Sequence, residues 1–347
     1  MNKKPTREEK ITALISQAEE GIKAVFESDK YKNFLITMSK FHNYSLRNSM
    51  LIEMQKPGAS NVAGFNSWKK NFNRYVKKGE KGIQILAYSP KTITKGIEAK
   101  DSDGNIINDV DGKPKIEIQK KEIPSYIPVY VYDVSQTQGD PLPQLINELD
   151  GTVERYEDLK EALINVSPYP VHIENIESGA KGYCSPTENK IAIKENMSQL
   201  HTIKTLIHEI THADLHAPEA GLPYAEKTNR QTKEVEAEST AYVVASHYGM
   251  DTSEYSFGYI ASWSENKELT ELKGSLDKIH KQAKGLIGRI DTRLEDLQKD
   301  KVQENEPNKS NTKINLKDRM AQAQEKAEKI NGNKKKKDTK KQQETAI

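Results

Sequence analysis

Hydrophobic positions in the first part of the chain recur with the period of α-helices. Between residues 6 and 40, apolar side chains return every three or four positions, which predicts a helix with one buried face. These positions are Ile11, Ile15, Ala18, Ile22, Val25 and Phe26. A second helical stretch covers roughly residues 40–55 and ends at Pro57-Gly58, a pair typical of turns.

Two short runs farther along have the character of β-strands. Gly82–Tyr88 and Ile127–Tyr132 are rich in aliphatic and aromatic residues, which favour a pleated surface. Residues 90–122 lie between them and carry Asp-Gly pairs at 103–104 and 111–112, which favour hairpin turns. We therefore expect an exposed β excursion over residues 90–122.

The pattern restarts after residues 139–143, which are the best candidate for a linker. We therefore expect a front domain within residues 1–143, with a core of about 35–137, and a second domain within residues 150–265. The second domain should contain helices near 155–166, 199–216 and 229–248, and strands near 170–176 and 189–193.

The last part of the chain predicts a long helix followed by a tail. Over residues 266–299, leucine and isoleucine recur in alternating steps of three and four, as in a coiled-coil seam. A long helix packed on its own domain is the simpler interpretation. Residues 300–347 lack aromatic side chains and are rich in Lys, Gln, Asn and Glu, which predicts a disordered basic tail.

Composition narrows the class of protein. The chain has 347 residues, 35% hydrophobic and 30% charged, a length typical of two domains. Its net charge of +2 hides a basic end, because residues 301–347 hold 13 Lys/Arg against 7 Asp/Glu. The single cysteine, Cys184, excludes a disulfide framework and a Cys-cluster zinc site. No secretory signal and no run of about 18 apolar residues is found, so we expect a cytoplasmic protein without membrane contact.

The strongest candidate for a functional site is the HExxH motif, His208-Glu209-Ile210-Thr211-His212. Residues four apart share a helix face, so His208 and His212 can direct two imidazole nitrogens at one zinc ion. Glu209 lies about 100° around the helix and can reach a water at the metal as a general base. The alternative is a chance match on a core helix with satisfied histidines.

A catalytic zinc needs a third protein ligand. His216 continues the same face but lies about 12 Å along the axis from the first histidine, and His201 is similarly far upstream. The next helix places Glu234 and Glu238 on one face. We assign Glu234 as the ligand and Glu238 as the outer contact of a ligand histidine, with the reverse left open. Glu236 should point elsewhere and be solvated.

The segments before the motif predict a substrate groove. Asn189–Ile193 is a predicted strand leading into the zinc helix, and Gly182–Cys184 predicts an edge strand, along which a peptide can bind as an added strand. We expect Cys184 to be a packed residue, because no activating partner is visible. Tyr255 and Tyr259 are two candidates for polarising a developing oxyanion.

Residues 68–81 interleave aromatic and basic side chains, a pattern suited to single-stranded nucleic acid, because bases stack on aromatic faces and cations follow phosphates. The predicted contacts are Trp68, Lys69, Lys70, Arg74, Lys77, Lys78 and Lys81, with Tyr44, Arg47 and Asn48 as further candidates. Helical spacing also predicts that Phe65 and Phe72 are core residues and that Trp68 is at least partly buried.

Two groups of motifs resemble known families. The runs KTLIHEITHADLH and KEVEAESTAYVV resemble ImmA/IrrE-type zinc metallopeptidases. Together with motifs of the front half they resemble ArdC-like antirestriction proteins of conjugative elements, over about residues 35–265. The front motifs are Tyr44-Ser45 with Asn48, Val62–Phe65 with Trp68, Val76–Gly82 and Val131–Thr137. The resemblance implies a single-stranded-DNA-binding domain and a metallopeptidase domain with Glu234 as third zinc ligand.

The expected fold class is α+β, with a mixed α/β DNA-binding domain followed by a zincin-like metallopeptidase domain. The expected function is that of an antirestriction zinc metallopeptidase whose front domain binds single-stranded DNA and whose back domain cleaves a protein substrate. The alternative is a non-catalytic protein that coats and protects single-stranded DNA and has a structural or idle zinc site. Glu209 favours catalysis, because a structural site needs no general base.

Overall fold

The computed structural model describes residues 5–26, 28–109, 111–142, 153–223, 227–250, 252, 255 and 257–305. Helices and strands are mixed along the chain, so the fold is α+β as predicted. Residues 1–295 form one compact unit. Residues 296–347 form a second unit, whose described part is the end of the last helix.

The described elements alternate irregularly between helix and strand. The helices are α1 (Arg7–Ala24), α2 (Ser28–Lys40), α3 (Leu46–Gln55), α4 (Phe65–Phe72), α5 (Val153–Val166), α6 (Gln199–Leu215), α7 (Arg230–His247), α8 (Ile260–Ser264) and α9 (Leu269–Asn305). The strands are β1 (Val62–Gly64), β2 (Arg74–Val76), β3 (Ile83–Tyr88), β4 (Lys91–Glu98), β5 (Ile116–Ile123), β6 (Tyr126–Asp133), β7 (Thr137–Gly139), β8 (Val171–Glu174), β9 (Gly182–Ser185) and β10 (Lys190–Lys194). Short 3₁₀ helices cover Val134–Gln136 and Ala217–Gly221.

Two helix predictions need correction. The single helix expected over residues 6–40 is divided into α1 and α2. Residues 300–305, expected to be disordered, continue α9, while residues 306–347 of the predicted tail lie outside the described residues. None of the described helices combines the length and apolar character that crossing a membrane requires.

The front sheet is antiparallel, in the order β1-β6-β3, and helix α3 covers its outer edge at β3. The Asn48 side-chain amide donates to the Leu86 carbonyl at 2.9 Å and accepts from the Leu86 N–H at 3.0 Å. Gln55 makes the same pair of bonds to Gln84, at 2.8 and 2.9 Å. Backbone groups that an edge strand would leave unpaired are thus satisfied by helix side chains.

The expected excursion is an exposed two-stranded ribbon. Strands β4 and β5 pair antiparallel from Lys91 opposite Ile123 to Glu98 opposite Ile116, and every residue of both strands is exposed. Both Asp-Gly pairs lie in turns, with Gly104 at φ 88° and Gly112 at φ 75°.

The back sheet places an edge strand beside α6. Strand β10 is central, parallel to β8 and antiparallel to β9, so β9 lies at an edge among the described strands. Ile191, Ala192 and Ile193 of β10 are all buried, and α6 contacts both β9 and β10. This packing fixes one face of α6 against the sheet.

Helices from before and after the predicted linker share a core within the compact unit of residues 1–295. The Tyr31 hydroxyl lies 2.7 Å from Ser239 Oγ in a buried contact between α2 and α7. The rings of Phe26 and Trp263 lie 5.7 Å apart. The expected boundary between residues 143 and 150 lies outside the described residues, and the division into two domains stays a prediction.

Candidate metal centre and nucleic-acid interface

Helix α6 carries the two histidines of the HExxH motif into a cleft. It begins at Ser198, whose hydroxyl accepts from the N–H of His201. Its buried apolar residues are Ile203, Leu206, Ile207, Ile210 and Ala213. With this face buried, His208 and His212 both line the cleft beside the helix.

Helix α7 adds a carboxylate to this pair. The Nε2 atoms of His208 and His212 lie 3.0 Å apart, and Glu234 Oε2 lies 3.5 and 3.7 Å from them. Zinc with tetrahedral bonds of about 2.0–2.1 Å separates its ligand atoms by about 3.3 Å. Two imidazoles and one carboxylate at these separations fit one divalent ion.

The electrostatics of the cluster agree with this arrangement. The nearby imidazoles of His208 and His212 hold the pKa of Glu234 well below its usual range. Burial alone would lower the pKa of His208, but the nearby carboxylates of Glu234 and Glu238 outweigh it and raise that pKa to about 9. The carboxylates therefore favour a positive charge at His208, which a divalent cation can supply.

Glu238 lies on the other side of His208 from Glu234. Its Oε2 is 3.3 Å from His208 Nδ1, whereas Glu234 lies near the Nε2 atoms of both histidines. A ligand histidine usually donates its second N–H to such an outer acceptor. This geometry favours Glu234 as the ligand and Glu238 as the outer contact.

Glu209 is 7% exposed and lines the same cleft. Burial raises the pKa of its carboxyl, an effect opposed by His208 and His212. A raised pKa suits a general base, which works best near the ambient pH. Gly182 of β9 lies directly against it, since a Cβ at that position would come within 3.2 Å of Glu209 Cγ and 2.6 Å of Thr205 Cγ2.

The cleft has a volume of about 1130 Å³ and is walled on one side by β9. Burial and the nearby Glu209 raise the pKa of the Cys184 thiol to about 11, so at neutral pH it is protonated and unsuited to act as a nucleophile. Tyr255 lines this cleft, whereas Tyr259 lines a smaller cavity next to His208 and Glu234.

The expectation that Glu236 is solvated is wrong. Glu236 is fully buried, and its Oε2 lies 3.1 Å from Nε2 of His216, which was set aside as too distant to be a ligand. His216 Nδ1 in turn lies 2.9 Å from Nδ1 of His212. The repeat of histidine at 208, 212 and 216 was the available sequence signal, because it continues one helix face.

Two of the expected DNA contacts are structural residues. Trp68 is 1% exposed, and its indole N–H donates to the Tyr132 carbonyl at 2.8 Å, so it cannot stack on a base. Its predicted burial is confirmed, but its predicted role in DNA contact is wrong. Asn48 is also buried and uses its amide on the Leu86 backbone, which leaves none of it for DNA.

Helix α4 has a different exposed face from the one expected. Phe65 is 58% exposed and Phe72 37% exposed, so the prediction that both are core residues is wrong. Trp68 is the buried residue of this short helix and fills the space beneath it. Exposed Lys69 lies over the ring of Tyr75, itself 48% exposed, with its Nζ 5.9 Å from the ring centre.

The other expected contacts divide into exposed lysines and partly buried groups. Lys70, Lys77, Lys78 and Lys81 are exposed. Arg74 joins β2 to β7, because its guanidinium donates to the Thr137 hydroxyl at 2.8 Å. Tyr44 and Arg47 are half-buried, and the Tyr44 hydroxyl donates to the Val62 carbonyl at 3.3 Å.

The front sheet carries exposed tyrosines that the sequence analysis missed. Tyr88 and Tyr126 lie opposite each other on β3 and β6, with ring centres 5.7 Å apart and exposures of 60% and 39%. Tyr130 is 55% exposed and shares their face, because alternate residues of a strand point the same way. Gly82 lies under Tyr130, whose ring would be 3.0 Å from a Cβ there.

The motif Val131–Thr137 ties the end of β6 to the start of β1. Buried Asp133 accepts hydrogen bonds from the N–H groups of Ser60 at 2.8 Å, Asn61 at 3.2 Å and Ser135 at 2.9 Å. Burial would raise the pKa of Asp133, but these bonds outweigh it and lower that pKa. The motif therefore has a structural role.

Comparison with known proteins supports one part of the resemblance. Residues 4–132 match the family model of the N-terminal domain of anti-restriction factor ArdC. The front part of the chain is therefore similar to that domain. An uncharacterized protein of Bacillus anthracis is 30% identical over 305 residues, covering 78% of this chain and 49% of the relative. The chain thus spans about half the length of the curated relative it matches.

Two crystal structures of the antirestriction ArdC protein from plasmid R388 are also similar. The metal-free one has a TM-score of 0.40 and 19% identity, covering 73% of this chain and 86% of that protein. The Mn(II)-bound one has a TM-score of 0.39 and 16% identity, covering 72% and 85%.

Proposed function

We propose that the chain is an ArdC-like antirestriction protein that binds single-stranded DNA and hydrolyses peptide bonds at a zinc ion in a zincin-like back half. The observation that carries the catalytic part is the convergence of His208, His212 and Glu234 beside buried Glu209. The DNA-binding part is supported by the match of residues 4–132 and by exposed aromatic and basic side chains in that region.

Zinc suits the donor set. His208, His212 and Glu234 would hold the ion through two imidazole nitrogens and one carboxylate oxygen, the number and type of ligands that catalytic zinc sites use. A bound zinc ion supplies Lewis-acid chemistry, because it polarises a carbonyl oxygen and makes a water molecule more acidic.

The protein's own groups handle the protons. Glu209 takes a proton from water and can pass it to the leaving amine, a role that its raised pKa favours. Burial and the charges of Glu238 and Glu234 raise the pKa of Tyr259 to about 12. Tyr259 therefore stays protonated at neutral pH and can donate to a developing oxyanion.

The substrate of this site would be an extended polypeptide. Strand β9 lies at the sheet edge and lines the cleft, so its backbone can pair with a peptide as an added strand. Such binding reads the backbone, and selectivity then depends on the side chains that line the cleft.

The DNA surface combines stacking and charge. Tyr88, Tyr130 and Tyr75 offer exposed rings, and each base stacked on such a ring contributes about 1–3 kcal/mol. The exposed lysines Lys69 and Lys78 supply phosphate contacts, so binding should weaken with salt.

The substitution Glu209→Gln tests the proposal. The variant should retain zinc, measured by mass spectrometry, and should lose cleavage of fluorescent denatured casein while binding an oligonucleotide as well as the wild type. Glu161→Gln on α5 serves as a control for loss of one exposed carboxylate. Full proteolysis in zinc-loaded Glu209→Gln would refute the mechanism. If the wild type and Glu209→Gln give equal antirestriction protection and neither cleaves casein, the result would support the non-catalytic DNA-binding alternative.

A further inference from the structure

Four side chains form a series of contacts that runs from the candidate ligand His212 through buried His216 and Glu236 to exposed Lys278. His212 Nδ1 lies 2.9 Å from His216 Nδ1, and His216 Nε2 lies 3.1 Å from Glu236 Oε2. The other carboxylate oxygen, Oε1, lies 3.5 Å from Lys278 Nζ. These contacts connect the residue that follows α6 to α7, and α7 to α9.

We propose that His216 and Glu236 are positioning residues of the metal centre, which hold the His212 ring in the tautomer and orientation that bind the ion. This inference rests on the proposed function, because it requires a metal at His212. Neither residue belongs to the candidate ligand set of His208, His212 and Glu234.

The contacts allow one consistent placement of protons. His212 faces His208 and Glu234 through Nε2, so Nε2 must be free of a proton when it binds a metal. The proton then resides on His212 Nδ1 and is donated to His216 Nδ1. A neutral His216 accepting at Nδ1 carries its own proton on Nε2, which it donates to Glu236. Each ring nitrogen is used once.

The two middle side chains of this series, His216 and Glu236, are buried although both are polar. Glu236 is 0% exposed and His216 6% exposed. Glu236 Oε1 has no hydrogen-bond partner within the described part of the chain, and the ion pair with Lys278 supplies the opposite charge. An ionised carboxylate is costly to bury unless it is paired and hydrogen-bonded, and Glu236 meets this requirement through His216 and Lys278.

Each of the two candidate ligand histidines is thus linked through its Nδ1 atom to a carboxylate. His208 has a carboxylate directly beside this atom, Glu238 at 3.3 Å. His212 reaches the carboxylate of Glu236 through one intervening imidazole. A carboxylate behind a ligand histidine raises its basicity and fixes the ring, and losing such a partner typically weakens metal affinity about 10–100-fold.

Zinc affinity of the full chain, measured by competition with a chromophoric chelator at pH 7.5, tests the inference. Glu236→Gln keeps the size of the side chain but removes its charge, and should raise the zinc Kd about 10–100-fold. Asp214→Asn is the matched control, because Asp214 on α6 bonds to Gln282 and Arg289 of α9 and should leave the zinc Kd within about twofold.

A spectroscopic measurement on the unmodified protein covers the case in which Glu236→Gln does not fold. Nitrogen-15 NMR of the zinc-loaded chain should show His216 neutral with its proton on Nε2. A His216 ring protonated on Nδ1, or on both nitrogens, would overturn the inference.

The outcomes separate the two proposals. A wild-type chain that binds no zinc refutes the proposed metal centre and the positioning role together. A wild-type chain that binds zinc tightly, with the same Kd in folded Glu236→Gln, refutes the positioning role alone.

Discussion

Asn48 on α3 is paired with Leu86 on β3 through both hydrogen-bonding groups of its side-chain amide. The helix thereby behaves locally like another strand at the edge of the front sheet. An uncovered edge can pair with other chains, and this contact covers the edge at Leu86.

Replacing Asn48 with alanine should therefore reduce stability and leave DNA binding at the surface lysines intact. Two backbone groups of Leu86 lose their partners, which should cost about 2–4 kcal/mol in the free energy of unfolding. Urea denaturation measures this loss. Asn66→Ala, on the exposed side of α4, is the control and should change stability little. An Asn48→Ala protein as stable as the wild type would contradict the edge contact.

Gly182→Ala should impair the cleft. The added Cβ would come within 2.6 Å of Thr205 Cγ2 and 2.9 Å of the Ala192 carbonyl oxygen, so β9 or α6 must shift. We expect a loss of about 1–3 kcal/mol in stability, measured by urea denaturation, and a fall in casein cleavage as Glu209 moves. Gly179→Ala is the matched control, since a Cβ there meets nothing within 4 Å. Equal behaviour of the two variants would show that the close approach is unimportant.

Tyr130→Ala should weaken binding of single-stranded DNA without unfolding the protein. Loss of one stacked base costs about 1–3 kcal/mol, or roughly 5- to 150-fold in Kd, measurable by fluorescence anisotropy. Tyr130→Phe keeps the ring and removes only the hydroxyl contact with Gln84, so its Kd should match the wild type. If alanine and phenylalanine variants bind alike, stacking on Tyr130 does not occur.

Asp133 should make stability depend on pH in the acidic range. Its folded pKa lies below the ordinary value of about 4, so its contribution is present above that value and is lost as the pH falls through the folded pKa. Urea denaturation should show Asp133→Asn less stable than wild type by about 1–3 kcal/mol at pH 7, with a smaller gap below about pH 4. Exposed Asp103→Asn provides the comparison. A gap that widens on acidification would contradict the assigned sign.

In the back half, helical periodicity predicted which side chains share a helix face but not which face is buried. A spacing of four residues placed His208 and His212 on one face, and the same rule paired Glu234 with Glu238. The same spacing correctly predicted that Glu236 points away from Glu234 and Glu238. The further prediction that this opposite face of α7 is exposed to water was wrong. Helix α7 instead contacts α2, α6 and α8, and 11 of its 18 residues are buried. Glu236 therefore needed an internal partner, which it has in His216.

The front half shows the limit of composition. Residues 68–81 combine aromatic and basic side chains, but helix α4 is short and its fit against β6 buries Trp68 while leaving Phe65 and Phe72 exposed. Which aromatic ring is buried depends on the strands that pack against α4, and the sequence alone does not show which strands these are.

By itself, the sequence determined the local features of this protein: the helical spacing of the two motif histidines, the turns at the Asp-Gly pairs and the cap at Ser198. These depend on backbone geometry over a few residues. The tertiary structure decided that Glu234 reaches both histidines, that His216 meets Glu236 and that Asn48 serves the sheet edge. Those contacts join segments distant along the chain, and only the packing of whole helices and strands sets their distances and their exposure to water.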